Sequence, residues 1–403
     1  MKIKLMRFVD YYAGVPLCFL FSAVHFISMP LFFRKKYNII PKKILIIKLS
    51  EMGSIILSYP LLNGIKFKYP EAKLFFLVFT KNKPAVEILD VMLKKNILTI
   101  RDSNFLVFII DAAKVLRKIR RENIDIVFDL ELFSRFTSIL SYLSGAPKKA
   151  GFCRYFTEGL YRGNFLTHKI QYNPNLHISK SFLSMLQGAE HNVKMIPTQA
   201  EKIEDNKISL PRFVSSEEIK RSVWNKLKQI NPVISERSRL VLINPGEGNI
   251  PLREWPLGNF NVLIDKILKD STNYVIIIGT KGASKNAEFL CKSANNRCLN
   301  LAGKTNIEEV LSLCNTAALL VATDSGLAHI ASLAPIKKII LFGPESPKIY
   351  SPLGENVHTL YSDLPCSPCF SAFNHRQSAC KDNKCLKVIK PEDVFELINV
   401  YLR

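Results

Sequence analysis

Acidic residues are scarce in this sequence. Its 403 residues contain 34 Asp and Glu against 56 Lys and Arg, which gives a net charge of +22. Such an excess suits anionic partners, whether phosphorylated small molecules, acidic membrane surfaces or nucleic acids. The sequence also lacks zinc-finger spacing, an RNP-type aromatic motif and a basic coiled-coil region. We therefore expect no nucleic-acid partner.

Charged residues are absent from Gly14–Phe33, a run of twenty residues without Asp, Glu, Lys or Arg. This length just reaches what a helix needs to cross a bilayer. Residues 1–50 hold nine Lys or Arg and one acid, and the cations lie on both sides of the apolar run. That arrangement favours association with the cytoplasmic leaflet, and no small-x-small cleavage site follows the run. We predict a membrane-associating segment at 1–40; whether it spans the bilayer or lies in its plane stays open.

The nine cysteines lack the regular spacing of a secreted disulfide scaffold. Five are scattered among apolar residues and are typical of small core side chains. The other four form a C-x2-C-x10-C-x4-C group, namely Cys366, Cys369, Cys380 and Cys385. Four thiolates at this spacing are one way to bind a structural zinc ion, and reduced thiols or disulfides are the alternatives.

Short apolar runs alternate with helical patterns in two series along the chain. Ile44–Leu49 and Leu319–Thr323 are typical of strands buried on both faces, while Phe105–Arg121 has helical spacing. Polar residues and prolines increase between 173 and 239, which we interpret as the connection between two domains plus one surface helix. The order predicts an α/β protein with two Rossmann-like, doubly wound domains, 41–205 and 206–390, facing a cleft.

The triplet Asp324-Ser325-Gly326 lies between the first strand and the helix of the βαβ unit Leu319–Pro344. In parallel sheets, ligands bind beyond the carboxyl ends of the strands. Backbone N–H groups and the positive end of a helix dipole favour an anion there. Capping of the helix by Asp324 or Ser325 is the alternative that needs no ligand.

Five motifs together resemble glycosyltransferase family 9, the bacterial heptosyltransferases that build the inner core of lipopolysaccharide. In the family's order they are ILIIKLSEMG (Ile44–Gly53), NPG followed by REWP (Asn244–Gly246 and Arg253–Pro256), NLAGKT (Asn300–Thr305), DSGLAH (Asp324–His329) and LFGP (Leu341–Pro344). The resemblance implies a GT-B enzyme with an N-terminal acceptor domain, a C-terminal nucleotide-sugar domain and a final helix, 391–403, that returns to the first domain. It also implies inversion at the anomeric carbon without a metal or other cofactor.

A diphosphate leaving group must be stabilised while the sugar–phosphate bond breaks. Without a bound cation, fixed positive groups and backbone N–H donors must do this, and glycines let a backbone approach phosphate closely. Arg253 matches the family's cationic residue before Trp-Pro, and Asp324 matches the Asp of its donor loop. The expected donor-binding residues are Gly246, Gly248, Arg253, Asp324, Ser325 and Gly326.

The catalytic base is where the sequence departs from the family. Ser54 stands where the family usually carries Asp, and a serine hydroxyl cannot act as a general base near neutral pH. Glu51, in the same turn, is one candidate base; its alternative role is that of an acid at a helix N-terminus. Asp129 and Glu131 are further candidates.

Two arginines resemble the basic residues with which the family holds phosphorylated acceptors. Arg135 and Arg154 both follow strand ends in the first domain, and solvated surface positions are the alternative for each.

The sequence thus predicts a membrane-associated, inverting, metal-independent glycosyltransferase at the cytoplasmic face of the bacterial inner membrane, held peripherally or by its N-terminal segment. Its expected donor is a nucleotide diphosphate sugar, in the first place ADP-heptose, and its expected acceptor is a lipid-linked saccharide of the lipopolysaccharide core. Ser54 motivates the alternative of a non-catalytic homologue that binds glycolipid or nucleotide and acts as a pathway scaffold.

Overall fold

The computed structural model describes residues 3–32, 40–155, 159–191, 201–246 and 250–402. The chain divides into two compact units, Met1–Ile208 and Ser209–Arg403. Each unit contains one sheet, as the alternating pattern predicts, and each sheet has six strands.

The first sheet is parallel throughout and has the order β3-β2-β1-β4-β5-β6. Its central strand forms because Ile44 to Ile47 are all apolar and fully buried, as a strand covered on both faces requires. The strands are β1 (Lys43–Ile47), β2 (Lys73–Phe79), β3 (Ile97–Ile100), β4 (Ile126–Asp129), β5 (Lys148–Cys153) and β6 (His168–Gln171).

The helices of the first unit connect and cover these strands. The longest after the N-terminal pair begins where Asn104 accepts a hydrogen bond from Val107 N and ends at Asn123, which has a left-handed conformation with φ of 51°. The helices are α1 (Ile3–Tyr12), α2 (Gly14–Phe32), α3 (Met52–Leu57), α4 (Tyr59–Lys68), α5 (Lys83–Glu87), α6 (Phe105–Glu122), α7 (Arg135–Leu143) and α8 (Ile178–Gly188).

The second sheet repeats the same strand order, as β12-β11-β10-β7-β8-β9, and is again parallel. Its strands are β7 (Arg239–Asn244), β8 (Asn273–Ile277), β9 (Cys298–Asn300), β10 (Leu319–Thr323), β11 (Lys337–Phe342) and β12 (Val357–Tyr361). Its helices are α9 (Glu217–Ile230), α10 (Leu257–Ile267), α11 (Ser284–Ser293), α12 (Ile307–Thr316), α13 (Gly326–Ile330), α14 (Pro347–Tyr350), α15 (Lys384–Lys387) and α16 (Pro391–Leu402).

The core of the second unit surrounds Trp255, which is 1% exposed and donates a hydrogen bond from Nε1 to Ile389 O at 3.0 Å. Val394 and Ile398 place the apolar face of α16 in the same core. The final helix therefore packs within the second unit. Its return to the first domain stays a prediction.

The stretch 173–239 is not only a connection, so that interpretation is wrong in part. It contains α8, whose buried residues include Phe182 and Met185 and which packs against α4 and β6 in the first unit. Serines at 179, 181 and 184 dilute the apolar pattern of α8 in the sequence, although all three are buried.

The N-terminal apolar run forms α2, and one helical stretch, Leu5–Ser28, is long and apolar enough to cross a bilayer. In the most apolar part of this stretch, only 11% is buried. Both N-terminal helices also pack against α7 of the first unit.

Candidate active site

Both sheets reverse their strand order at one point, between β1 and β4 in the first unit and between β7 and β10 in the second. In open parallel sheets, ligands bind at the carboxyl ends of the strands where the order reverses. The loop holding Glu51 follows β1, and the loop holding Asp324 follows β10. Tertiary structure therefore places both predicted loops at ligand-binding positions of their own sheets.

Glu51 lies in a strained turn directly before α3. Its φ is +68°, a left-handed conformation that costs a side-chain-bearing residue free energy and that is concentrated at functional sites. Its side chain is 38% exposed, with Lys48 Nζ at 3.6 Å from Oε2. Ser54 Oγ donates a hydrogen bond to Glu51 Oε2 at 3.0 Å. The serine at the family's Asp position thus fixes the orientation of a neighbouring carboxylate.

Glu131 holds the Glu51 loop in place from the end of β4. Its carboxylate accepts hydrogen bonds from the backbone N–H of Leu49 at 2.8 Å and of Ser50 at 3.0 Å, and from Lys48 Nζ at 3.1 Å. These bonds use both carboxylate oxygens, and the side chain is only 12% exposed. Glu131 is therefore a positioning residue, and the geometry disfavours it as the base.

Asp129 is fully buried and pairs with Arg162, which is 1% exposed. Burial raises the pKa of Asp129 to about 6, against the opposing effect of the Arg162 guanidinium. A carboxylate without exposed surface cannot reach an acceptor hydroxyl. Of the three predicted carboxylates, Glu51 is the most exposed to solvent.

The two predicted acceptor arginines have different environments. Arg135 is 2% exposed, and its Nη1 donates to Asp10 Oδ2 at 3.2 Å. Because this guanidinium is buried in a structural ion pair, the geometry disfavours an acceptor-binding role for Arg135. Arg154 is exposed at the end of β5, above the ring of Tyr161 at 5.6 Å, and its acceptor role stays a prediction.

The carboxyl ends of β7 and β10 meet in the second unit. Ser325 Oγ donates to Asn244 Oδ1 at 3.2 Å, and Asn244 Nδ2 donates to Ile278 O at 2.9 Å. Gly246 has a φ of +97°, which favours glycine, and a Cβ there would lie 3.2 Å from Glu254 Cγ. Gly326 is the first residue of α13. The predicted Gly248 lies outside the described residues.

Arg253 belongs to a cluster of two arginines and two carboxylates beside these loops. Its Nε lies 3.5 Å from Asp324 Oδ2, and its Nη2 donates to Glu345, which is 1% exposed. Arg376 Nε also contacts Glu345 Oε1, at 3.1 Å. The cluster fixes the guanidinium of Arg253, so Asp324 acts on it as a counter-ion.

Sequence reasoning missed Glu345, Arg376, Lys48 and Arg162. Glu345 follows the LFGP motif directly, and Lys48 is the one charged residue in ILIIKL, so local signals existed for both. Arg376 and Arg162 carry no such signal, because each meets its partner only through the fold.

The structure around the four C-terminal cysteines gives no support to the predicted metal centre. Cys366 and Cys380 are exposed, Cys369 is half-buried and Cys385 is buried. Among the described residues, no group of three His, Cys, Asp or Glu side chains is arranged to hold a metal ion. Burial raises the pKa of the Cys385 thiol, and the other three thiols nearby raise it further. The predicted zinc site is unsupported.

Known proteins match this chain in sequence. Residues 112–379 match the model of glycosyltransferase family 9 (heptosyltransferase). A lipooligosaccharide heptosyltransferase 2 of Campylobacter jejuni is 33% identical over 187 residues, which cover 43% of this chain and 55% of that relative. The chain therefore spans about half the length of this curated relative. A lipopolysaccharide heptosyltransferase 1 of Campylobacter coli is 23% identical over 88% of this chain and 98% of its own length.

Solved structures match the whole architecture. ADP-heptose lipopolysaccharide heptosyltransferase II of E. coli superposes with a TM-score of 0.69 at 19% identity, covering 89% of this chain and 98% of that one. An E. coli heptosyltransferase solved with ADP gives 0.62 at 15% identity, covering 89% and 99%. These likenesses confirm the GT-B fold class. Because the family model covers well over half of the sequence, the chain belongs to glycosyltransferase family 9.

Proposed function

We propose that this protein is an inverting, metal-independent glycosyltransferase that moves heptose from ADP-heptose to a lipid-linked acceptor of the lipopolysaccharide-core type. The observation that carries the proposal is Glu51, an exposed carboxylate held in a strained turn at the strand-order reversal of the first unit. Similar proteins named as lipopolysaccharide and ADP-heptose heptosyltransferases support the choice of sugar and acceptor class.

The donor diphosphate binds to the second unit. Arg253 provides a positive group held by two carboxylates, so little reorganisation is needed when the leaving group gains charge. Gly246 permits the positive-φ turn at the end of β7, and the backbone N–H groups of Ser325 and Gly326 are the proposed further donors to phosphate. These fixed groups supply the charge stabilisation that a metal ion supplies in other transferases.

Glu51 acts as the base in a single displacement. The acceptor hydroxyl oxygen forms a bond to the anomeric carbon while the bond from that carbon to the diphosphate oxygen breaks. The hydroxyl proton passes to the Glu51 carboxylate, and the electron pair of the broken bond leaves with ADP. Ser54 and Lys48 orient the carboxylate through the contacts at 3.0 and 3.6 Å.

The acceptor is lipid-linked, so the first unit works at the cytoplasmic face of the inner membrane. The exposed guanidinium of Arg154 is the proposed contact to acidic groups of the acceptor. The exposed apolar surface of α1 and α2 and the basic residues around them support a membrane location.

Replacement of the base tests the proposal. Glu51→Gln should reduce turnover of ADP-heptose and acceptor about 10²–10⁴-fold, because it removes a positioned general base. Donor affinity, measured by calorimetry, should stay unchanged. Glu71→Gln, which alters an exposed carboxylate of the same unit, is the matched control and should retain full turnover.

Ser54→Asp in the Glu51→Gln background should restore part of the activity by returning a carboxylate to the family's position. Normal turnover by Glu51→Gln would remove this residue from catalysis. A wild-type protein that binds ADP-heptose but never turns it over with a matched acceptor would favour the pathway-scaffold alternative.

A further inference from the structure

Exposed apolar side chains are concentrated on three helices of the first unit. Helices α1 and α2 expose ten large apolar side chains, among them Phe19 at 71%, Phe26 at 77% and Ile27 at 76%. The first two turns of α6 expose four more, including Leu106 at 73% and Ile110 at 51%. Clusters of exposed apolar side chains on a protein surface mark sites of interaction with another protein or with a membrane.

Helix α2 is fixed to the first unit along one side. Cys18 is fully buried, Ser22 Oγ accepts a hydrogen bond from Asn164 N at 2.9 Å, and the rings of Phe21 and His25 contact Tyr142 of α7 at 5.6 and 5.7 Å. These contacts extend over two turns of the helix. A helix held along its side by a folded α/β unit cannot cross a bilayer without taking that unit with it.

Helix α1 contacts α2 and α7 and packs on the core cluster to which α6 contributes. Met6 packs against the core cluster that contains Phe108 of α6 and Leu140 of α7. Asp10 accepts hydrogen bonds from the backbone N–H of Arg135 and of Phe136 at the start of α7, both at 3.0 Å. Met6 and Asp10 therefore hold α1 against α7 and against the core cluster that includes Phe108 of α6.

We propose that α1, α2 and the first two turns of α6 form a single membrane-contact face that lies in the plane of an anionic bilayer surface and does not cross it. On α6, Phe105 and Ile109 and also Leu106 and Ile110 are four residues apart, so they share a side, while Phe108, Ala112 and Val115 face the core. In the sequence, basic residues lie on both sides of the apolar run, with Lys2, Lys4 and Arg7 before it and Arg34, Lys35 and Lys36 after it, which suits anionic headgroups.

This inference rests on the proposed function, because an enzyme with a lipid-linked acceptor must work at a membrane. Its test, however, needs neither donor nor acceptor. Purified full-length protein is mixed with vesicles of phosphatidylethanolamine and phosphatidylglycerol, and bound protein is measured by flotation. Leu106→Glu/Ile110→Glu should weaken vesicle binding at least about tenfold, since two side chains no longer enter the apolar layer. Phe67→Glu is the matched control: this side chain is 90% exposed on α4, which packs with α8 apart from the α6 core cluster.

A second variant maps the surface without adding charge. Leu106→Trp should bind vesicles like the wild type, and its added fluorescence should be quenched by lipids brominated in their acyl chains, after subtraction of the signal from Trp224 and Trp255. Unchanged binding of Leu106→Glu/Ile110→Glu, or an unquenched Leu106→Trp, would overturn the proposal in favour of anchoring by α2 alone. Wild-type protein that stays unbound would overturn it entirely. Intact vesicle binding without any transfer activity would refute the proposed function and leave this inference standing.

Discussion

Three basic residues of the candidate site, Lys48, Arg253 and Arg376, are each held by a carboxylate. Lys48 is 2% exposed and bonds to Glu131, while Arg253 and Arg376 share the buried Glu345. A buried charge is tolerated in a protein when it is paired and hydrogen-bonded. Within each unit these pairs restrict the orientation of a group proposed to act on substrate, the exposed Glu51 in the first unit and the half-buried Arg253 in the second.

At this residue scale, Arg253→Ala should weaken ADP-heptose binding at least tenfold, because a charge-assisted contact to phosphate contributes roughly 1.5–3 kcal/mol. Asp324→Ala should also weaken it, through the lost orientation of Arg253. Calorimetric titration measures both, with thermal unfolding as the check that each variant folds. Arg239→Ala, at the opposite end of β7, is the control. Wild-type affinity in the two site variants would exclude them from the donor site.

The elements of the first unit show how a helix pair is attached to a completed α/β layer. The side chain of Asp10, on α1, receives two backbone N–H groups and the guanidinium of Arg135 at the beginning of α7. A carboxylate at a helix N-terminus is also favoured by the helix dipole. Asp10 of α1 therefore satisfies two backbone N–H groups at the N-terminus of α7 and neutralises the buried Arg135.

At this element scale, Asp10→Ala should lower the free energy of unfolding of the first unit by about 1.5–3 kcal/mol, since it leaves Arg135 buried without its partner. Chemical denaturation followed by circular dichroism measures the change. Asp205→Ala breaks an ion pair with Lys180 in which the Asp205 side chain is 86% exposed, and should have little effect. Equal stability of the two variants would mean that Asp10 does not stabilise α7.

The whole molecule repeats one topology twice, with a separate core in each unit. The predicted donor-binding residues that the structure describes, Gly246, Arg253, Asp324, Ser325 and Gly326, all belong to the second unit. The expected base and the remaining acceptor arginine, Glu51 and Arg154, belong to the first. The residues predicted to bind the donor and those predicted to act on the acceptor are thus separated into the two units.

At this whole-molecule scale, residues 209–403 expressed alone should fold and bind ADP with an affinity within about tenfold of that of the full chain, because the unit has its own sheet and core. Residues 1–208 should not bind ADP. Calorimetric titration of each fragment with ADP measures both affinities. Binding by the first fragment, or a folded second fragment without affinity, would contradict this assignment.

The sequence by itself determined the features that depend on near neighbours. Apolar runs such as Ile44–Ile47 and Leu319–Val321 predict buried strands because a strand covered on both faces is nearly continuous in apolar residues. The strand-to-helix turns carrying Glu51 and Asp324 follow from the same pattern, as does the resemblance to the family. Periodicity failed for α8, whose buried serines hide the apolar face.

Only the tertiary structure decided which charged groups face a substrate. Arg135 and Arg154 look alike in the sequence, yet Arg135 is paired with Asp10, 125 residues away, and Arg154 is exposed. Asp129 is buried in an ion pair with Arg162, 33 positions later, which makes it a poor candidate for the base. The four cysteines have a spacing suited to zinc, but among the described residues no group of three potential ligands is arranged to hold a metal ion. Burial and ion pairing depend on contacts between distant segments, and those contacts exist only once the sheets are assembled.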